Sequence, residues 1–367
     1  SARSVTRNCV RPFAVQKRPQ LHAVNKSKSL DKLSNNEDFE RLRPVRKLLA
    51  LAATVATIAA LTGCAAQNPA DAVMQGASAV CKAGTEHSNV DQIQVSKDQT
   101  QAPSVDFATP IKAKTIETKV IVEGDGPKIY GNQLVDVEYL GINGGTGKTF
   151  QTSKFDGTNF ASQFLAADQK PDFCGALAGV REGSRVAVLF PAELAHGGQG
   201  IPDLGVQATD SIIFVFDILK VFLPKALGDE KSLPASFPGV NVVRAEDGTP
   251  GISIPKSAAP TKLQIADLIE GRGETVAMGQ TVTLHYSGFL WDGKTQFDSS
   301  WEKGQPVQFK LEEGGLINGF LKAVVGQKIG SQVVAVIPPA DGYGSTDQGS
   351  IPANSTLVFV IDILGAN

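Results

Sequence analysis

The chain has 367 residues, 42 % of them apolar and 20 % charged, which leaves room for two globular domains with appendages and excludes a fibrous or low-complexity protein. Its formal net charge of −2 conceals an asymmetry: residues 1–47 carry 12 Lys/Arg against 4 Asp/Glu, and the remainder 23 against 33. That acidic body disfavours nucleic acid, or an anionic lipid surface, as the main partner.

Residues 1–44 are basic, Ser-rich and largely aperiodic, and we expect a non-native or disordered extension ahead of a translation start near Val45. Arg43, Arg46 and Lys47 introduce an uncharged run over 48–63 that ends Leu61-Thr62-Gly63-Cys64. A basic segment followed by a short apolar one is the pattern of a secretory signal, and the run is short of the roughly 20 residues a transmembrane helix needs. The Leu-Thr-Gly-Cys ending resembles the lipobox of bacterial lipoproteins. It implies a signal peptide over 45–63, cleavage before Cys64, and a diacylglyceryl group on that cysteine. Small, polar residues 64–89 then read as a tether. Cys9 precedes the signal, so Cys81 and Cys174 remain in an exported chain, either as a disulfide or as two separate buried thiols.

Beyond the tether the chain contains itself twice. At a constant offset of 147, Glu123-Gly124-Asp125-Gly126 overlies Glu270-Gly271-Arg272-Gly273, Tyr139 overlies Tyr286, Phe150 overlies Phe297 and Pro191 overlies Pro338. An offset held that long indicates a duplicated domain. One copy is expected over 90–222 and the other over 239–367, with the Pro-rich 223–238 as a linker. Val135, Val137 and Tyr139 alternate with polar residues, as do Val282, Leu284 and Tyr286, which predicts half-buried antiparallel strands. The runs 186–190, 332–337, 212–218 and 357–363 are β-branched and aromatic, and predict further strands. Only Phe173–Val180 and Phe320–Val325 carry helical spacing. The fold class is therefore α+β: two domains, each a curved antiparallel sheet wrapped on a short helix.

The parts needed for most catalysis are missing. The four His are scattered without ligand spacing, so neither a metal nor a cofactor is expected, and His285 reads as a surface or edge residue. Gly124-Asp125-Gly126 and Gly271-Arg272-Gly273 lack a third glycine and a following helix, and read as hairpin turns. No Ser lies in a nucleophile elbow. What remains in the second copy is an aromatic and aliphatic set with one nearby acid, Asp298.

Within that set, His285-Tyr286-Ser287-Gly288, Phe297-Asp298-Ser299-Ser300, Leu316-Ile317-Asn318-Gly319-Phe320, Tyr343-Gly344 and Ile351-Pro352 follow in an order that strongly resembles the FKBP-type peptidyl-prolyl cis/trans isomerases. The likeness spans about 263–364. A tandem arrangement behind a lipobox is similar to the two-domain FKBP lipoproteins of Gram-positive bacteria. The resemblance implies Phe320 as the pocket floor, with Tyr286, Phe297, Val307, Phe309, Leu316, Ile351 and Phe359 around it. It implies that the Ile317 N–H binds a substrate carbonyl, that Tyr343 donates a hydroxyl at the rim, and that Asp298 holds the Tyr286 hydroxyl and faces the twisting amide. Lys303 stands where such proteins usually carry Arg. The implied partners are proline-containing segments of exported proteins, a rapamycin-type macrolide as a ligand, and the membrane through the lipid anchor. The implied place is extracytoplasmic. In the first copy Gln151 replaces Asp298, Gln169-Lys170 replaces Leu316-Ile317 and His196 replaces Tyr343, so the same fold with little or no activity is expected there. The alternative for the whole chain is a membrane-anchored, non-catalytic client-binding module or chaperone. A solute-binding lipoprotein is disfavoured because neither copy shows a long α/β pattern.

Overall fold

The computed structural model describes residues 68–84, 88–167 and 169–367; the extension over 1–44, the signal peptide and Cys64 lie outside the described residues. Ahead of the first lobe's sheet come a helix α1 (Pro69–Val73) and the short strands β1 (Gln94–Val95) and β2 (Val105–Asp106). The sheet strands are β3 (Glu117–Val122), β4 (Gln133–Asn143), β5 (Thr149–Thr152), β6 (Ala161–Leu165), β7 (Arg185–Phe190) and β8 (Ile212–Val221), with helices α2 (Phe173–Leu177) and α3 (Ala192–His196) between them. They pair antiparallel in the order β3-β7-β8-β4-β5, with β6 also on β4.

The second lobe pairs its strands in the matching order. Strands β9 (Gly228–Glu230), β10 (Asn241–Arg244) and β11 (Pro250–Ser253) lead into β12 (Gln264–Gly271), β13 (Thr281–Leu290), β14 (Gln296–Ser299), β15 (Val307–Lys310), helix α4 (Asn318–Val324), β16 (Gln332–Ile337) and β17 (Leu357–Ala366). The sheet runs β14-β13-β17-β16-β12-β9, with β15 on β13. The helices sit where their apolar spacing ends them. α2 is capped by Asp172, which accepts from the Gly175 N–H at 2.7 Å, while α4 has no side-chain cap and is held by burial of Phe320, Leu321, Ala323 and Val324.

The sheets differ from the half-buried reading: β4 and β13 are buried on both faces, apart from Tyr139 in β4 and the two end residues, Thr281 and Leu290, of β13. The concave face of each sheet packs on its helix. The convex face is roofed by the chain that precedes it. In the first lobe Val90, Ile93 and Ile111 cover Leu140, Ile142, Ala187 and Val215; in the second Val240, Ile254 and Phe237 cover Phe289, Val334 and Val358. The polar residues that alternation suggests are solvated are instead satisfied one by one by protein partners. Asp136 accepts from Ser162 and Asn367, and Glu138 accepts from the Asp156 N–H at 2.8 Å. His285 is likewise buried, not at a surface or edge: its ring stacks on Trp301 at 3.8 Å and its Nδ1 meets Ser300 Oγ at 2.9 Å.

Two segments read as open chain are folded. Leu223 donates to Leu364 O, Ala226 to Asp362 Oδ2 and Leu227 to Gly330 O before β9 pairs with β12, so much of 223–238 completes the second sheet's edge. Part of 64–89 is fixed as well: Val80 and Cys81 both donate to Tyr130 O, and Cys81 and Cys174 are joined as a disulfide with Cα atoms 5.2 Å apart. The paired glycines are not hairpin turns, since β12 and β13 are not neighbours in the sheet. A Cβ on Gly124 or Gly271 would stand 2.1 Å from Glu182 O or 2.3 Å from Ile329 O, so close backbone approach is what demands glycine.

Candidate functional site

The second lobe gathers its aromatic residues at the concave face. β13 supplies Tyr286, β14 Phe297 and Asp298, β15 Val307 and Phe309, β17 Phe359, and α4 Phe320. The register sets Gly288 against both Asp298 and Phe359, and a Cβ there would lie 2.6 Å from Phe297 and 2.9 Å from Phe359. Without one, the two rings meet edge to face at 5.5 Å. Phe320 is 4 % exposed and stands edge-on to Tyr286 at 6.0 Å, Phe309 at 6.1 Å and Phe359 at 5.1 Å. All the predicted apolar residues, including Ile317, Leu316 and Ile351, fall in this one cluster. Leu316 also borders a second groove along the outer side of α4, with Met278 and Leu321.

Polar groups are few and fixed. The Tyr286 hydroxyl donates to Asp298, whose other oxygen takes the Lys303 ammonium. Burial first, and then the Asp298 carboxylate, push the Tyr286 hydroxyl's pKa up, so it stays protonated. Burial works to raise Asp298, but the Lys303 ammonium and the Tyr286 hydroxyl outweigh it and hold the carboxyl below its ordinary range. The pair therefore has one protonation pattern at neutral pH, with phenol as donor and carboxylate as acceptor. Ile317 is the N-cap of α4, and its N–H has no partner among the described residues. Tyr343 is 37 % exposed on the loop after the 3-10 turn Pro339–Asp341, near enough to Tyr286 to disfavour ionisation there.

Sequence reasoning missed the residues that hold this rim. Asp341 accepts from Asn318 and Lys322, both at 3.0 Å, tying the Tyr343 loop to the start of α4. Lys303, which departs from the usual Arg, is the cation on Asp298. Neither carries a local signal, because both ties join segments about 20 residues apart or bridge a turn by long side chains.

The first lobe builds the same cup with different chemistry. Phe150, Phe173 and Phe214 occupy the positions of Phe297, Phe320 and Phe359, with Phe150 and Phe214 edge to face at 6.1 Å. Gln151 donates to the Tyr139 hydroxyl at 2.9 Å. His196 faces its own loop: Nδ1 accepts from the Gly200 N–H and Nε2 lies 2.9 Å from Asp210 O.

The family model for FKBP-type peptidyl-prolyl cis-trans isomerases matches residues 273–364, which contain the whole second-lobe cup. A probable FK506-binding protein of Corynebacterium glutamicum is 39 % identical over 117 residues, covering 32 % of this chain and 98 % of that protein. The chain belongs to the FKBP-type peptidyl-prolyl cis-trans isomerases. The isomerase is also 37 % identical over 117 residues to an FK506-binding protein of Streptomyces anulatus, covering 31 % of this chain and 94 % of that one. Against the three FKBP domains of wheat FKBP73 the TM-score is 0.32 at 21 % identity, covering 69 % of this chain and 94 % of that structure.

Proposed function

We propose that this isomerase works through its second lobe, on proline-containing segments of exported or cell-envelope polypeptides, as the active half of a tandem FKBP lipoprotein anchored at Cys64. The observation that carries the catalytic assignment is the contrast between the lobes. Both keep the ring cup, but only the second pairs its tyrosine with a carboxylate and sets an exposed tyrosine, Tyr343, where the first has His196 turned into its own loop.

The chemistry needs no nucleophile. Rotation about an X–Pro bond faces a barrier of about 18–20 kcal/mol because amide resonance must be broken. Unaided, it takes tens to hundreds of seconds, slow enough to limit folding. A proline ring seated on Phe320 between Tyr286, Phe297 and Phe359 leaves water behind. The twisted amide is less dipolar at its carbonyl than the planar one, so a dry apolar wall favours it relative to the ground state. The Ile317 N–H holds a carbonyl of the bound peptide, the Tyr343 hydroxyl meets the peptide at the rim, and Asp298 faces the rotating group while keeping Tyr286 in place. Val307, Phe309 and Ile351 close the walls. FK506-type or rapamycin-type macrolides are the expected competitors for this cup, given the names of the relatives.

A protease-coupled proline-peptide assay on the full chain tests the assignment. Hydrogen bonds to charged groups contribute roughly 1.5–3 kcal/mol, so Asp298→Ala with Tyr343→Phe is expected to lower kcat/KM by at least about tenfold, while Tyr139→Phe leaves it unchanged. Equal turnover in the double variant removes the second-lobe site. For the anchor, Cys64→Ala should move the protein out of the membrane fraction of expressing cells; unchanged partition refutes lipidation there.

A further inference from the structure

The replacements in the first-lobe cup share a direction, and it is not simply loss. At the register where β15 sets Val307 opposite Leu284 and Phe309 opposite Val282, β6 sets Ala161 opposite Val137 and Gln163 opposite Val135. A smaller wall and a polar wall open a cleft of about 230 Å³ over Phe173 and Phe216. An apolar cavity of about 150 Å³ holds a benzene molecule. The first-lobe cleft therefore takes a leucine or phenylalanine side chain together with part of the adjoining backbone.

The hydrogen-bonding groups have changed in the same sense. In the second lobe the Tyr286 proton is committed to Asp298. In the first, the Gln151 amide donates to Tyr139 Oη, so the tyrosine's own proton and the Gln151 carbonyl oxygen have no partner among the described residues. An uncharged donor standing beside an acceptor is the complement of a secondary amide, which offers a C=O and an N–H together. An X–Pro amide has no N–H to offer. His196 is turned into its loop and has no donor left for the rim.

We propose that the first-lobe cleft is a non-catalytic binding site for an apolar, non-proline residue of an extended polypeptide, with the side chain over Phe173 and its peptide group on Tyr139 and Gln151. The inference rests on reading the second lobe as the isomerase site, since it makes the first the place where the same client is held. No charged side chain lines the cleft itself.

The test is fluorescence anisotropy of labelled, unstructured peptides that differ only in one central residue, Leu, Phe or Pro. They are titrated with the full chain, with the Asp298→Ala/Tyr343→Phe chain, and with chains whose cleft is refilled by Ala161→Phe or, separately, by Gln163→Phe. The Leu and Phe peptides should bind the first two proteins alike, weaken at least tenfold on refilling the cleft, and bind the second-lobe variant at least threefold tighter than the Pro peptide does. Three results overturn the proposal: no binding of the Leu or Phe peptide, binding indifferent to both refilling substitutions, or equal binding of the Pro peptide by the second-lobe variant. Survival of proline-peptide turnover in that variant would instead sink the second-lobe reading, and leaves the anisotropy comparison intact.

Discussion

Arg185 is fully buried and spends all five of its N–H donors. Nε and Nη2 reach the two oxygens of Asp217 at 2.6 and 2.7 Å, Nη1 reaches the carbonyls of Ser96 and Asp98, and Nη2 also reaches Gln101 O at 3.1 Å. Those three carbonyls belong to the arm that roofs the convex face of the first lobe. Arg185→Leu leaves the Asp217 carboxylate buried without its cation, at a cost of about 3–5 kcal/mol. That is a large fraction of the roughly 5–15 kcal/mol that holds a domain folded. Arg185→Leu with Asp217→Leu removes the orphaned charge, so the double variant should recover most of the loss. It still lacks donors for three carbonyls, at about 1 kcal/mol each or less where water can replace them. Urea unfolding should rank wild type above the double variant and the double above the single. Hydrogen exchange should show amides of 94–106 opening earlier in both variants. A single variant within about 1 kcal/mol of wild type, or unchanged arm protection, refutes the clasp.

Burial holds His285 at about 4, against an ordinary 6.5, so its contribution to stability is present above pH 6.5 and lost as pH falls towards 4. Asp362, raised to about 6 from 3.8 by burial, contributes below pH 3.8 and loses that contribution as pH rises through 6; each is worth about 3 kcal/mol, and the two oppose. Relative to wild type, Asp362→Asn should therefore lose about 2 kcal/mol of urea-unfolding free energy as pH falls from 6.5 to 4 and His285→Gln should gain about 2–3 kcal/mol, whereas parallel profiles contradict both assignments. Because Asp298 is held below the ordinary carboxylate range, proline-peptide turnover should stay flat from neutral pH down to about 5 and fall only in stronger acid; a midpoint above about pH 6 counts against its role. Gly271→Ala forces a Cβ onto Ile329 O and should cost about 1–3 kcal/mol in thermal or urea unfolding, against near-neutrality if the glycine is merely a turn. Phe320→Ala empties the cup floor, and should cost about 3–5 kcal/mol and abolish turnover.

The cup was legible because its evidence is local and doubled. Tyr286, Phe297 and Phe320 recur at a fixed offset as Tyr139, Phe150 and Phe173, and each motif carries its own backbone reason, as Gly288 and Gly141 do where two rings must meet. The convex face was not legible for an equally definite reason. A period of two reports only what a strand shows its own neighbours, and Asp136, Glu138 and His285 alternate as a wetted face would. Their partners come from Ser162, Asp156, Ser300 and Trp301, and the roofs come from Val90, Ile93, Val240 and Ile254, scattered through Pro- and Gly-broken sequence with no period of its own.

For the same reason a second difference between the lobes leaves no mark in the period of the strands. Where the first sheet carries Glu138, Arg185 and Asp217, the second carries His285, Gln332 and Asp362 at the matching registers. Arg185 fastens its arm through three carbonyls. Gln332 instead receives Arg244 from the β10–β11 hairpin at 2.9 Å, and Asp362 receives the Ala226 N–H at 2.8 Å. A glutamine set under the first arm would leave that row of carbonyls unmet. The two sheets share a pattern of pairing, but each polar belt is matched to one arm only. The lobes therefore differ on both faces, in chemistry on the concave side and in how the chain before them is fastened on the convex side.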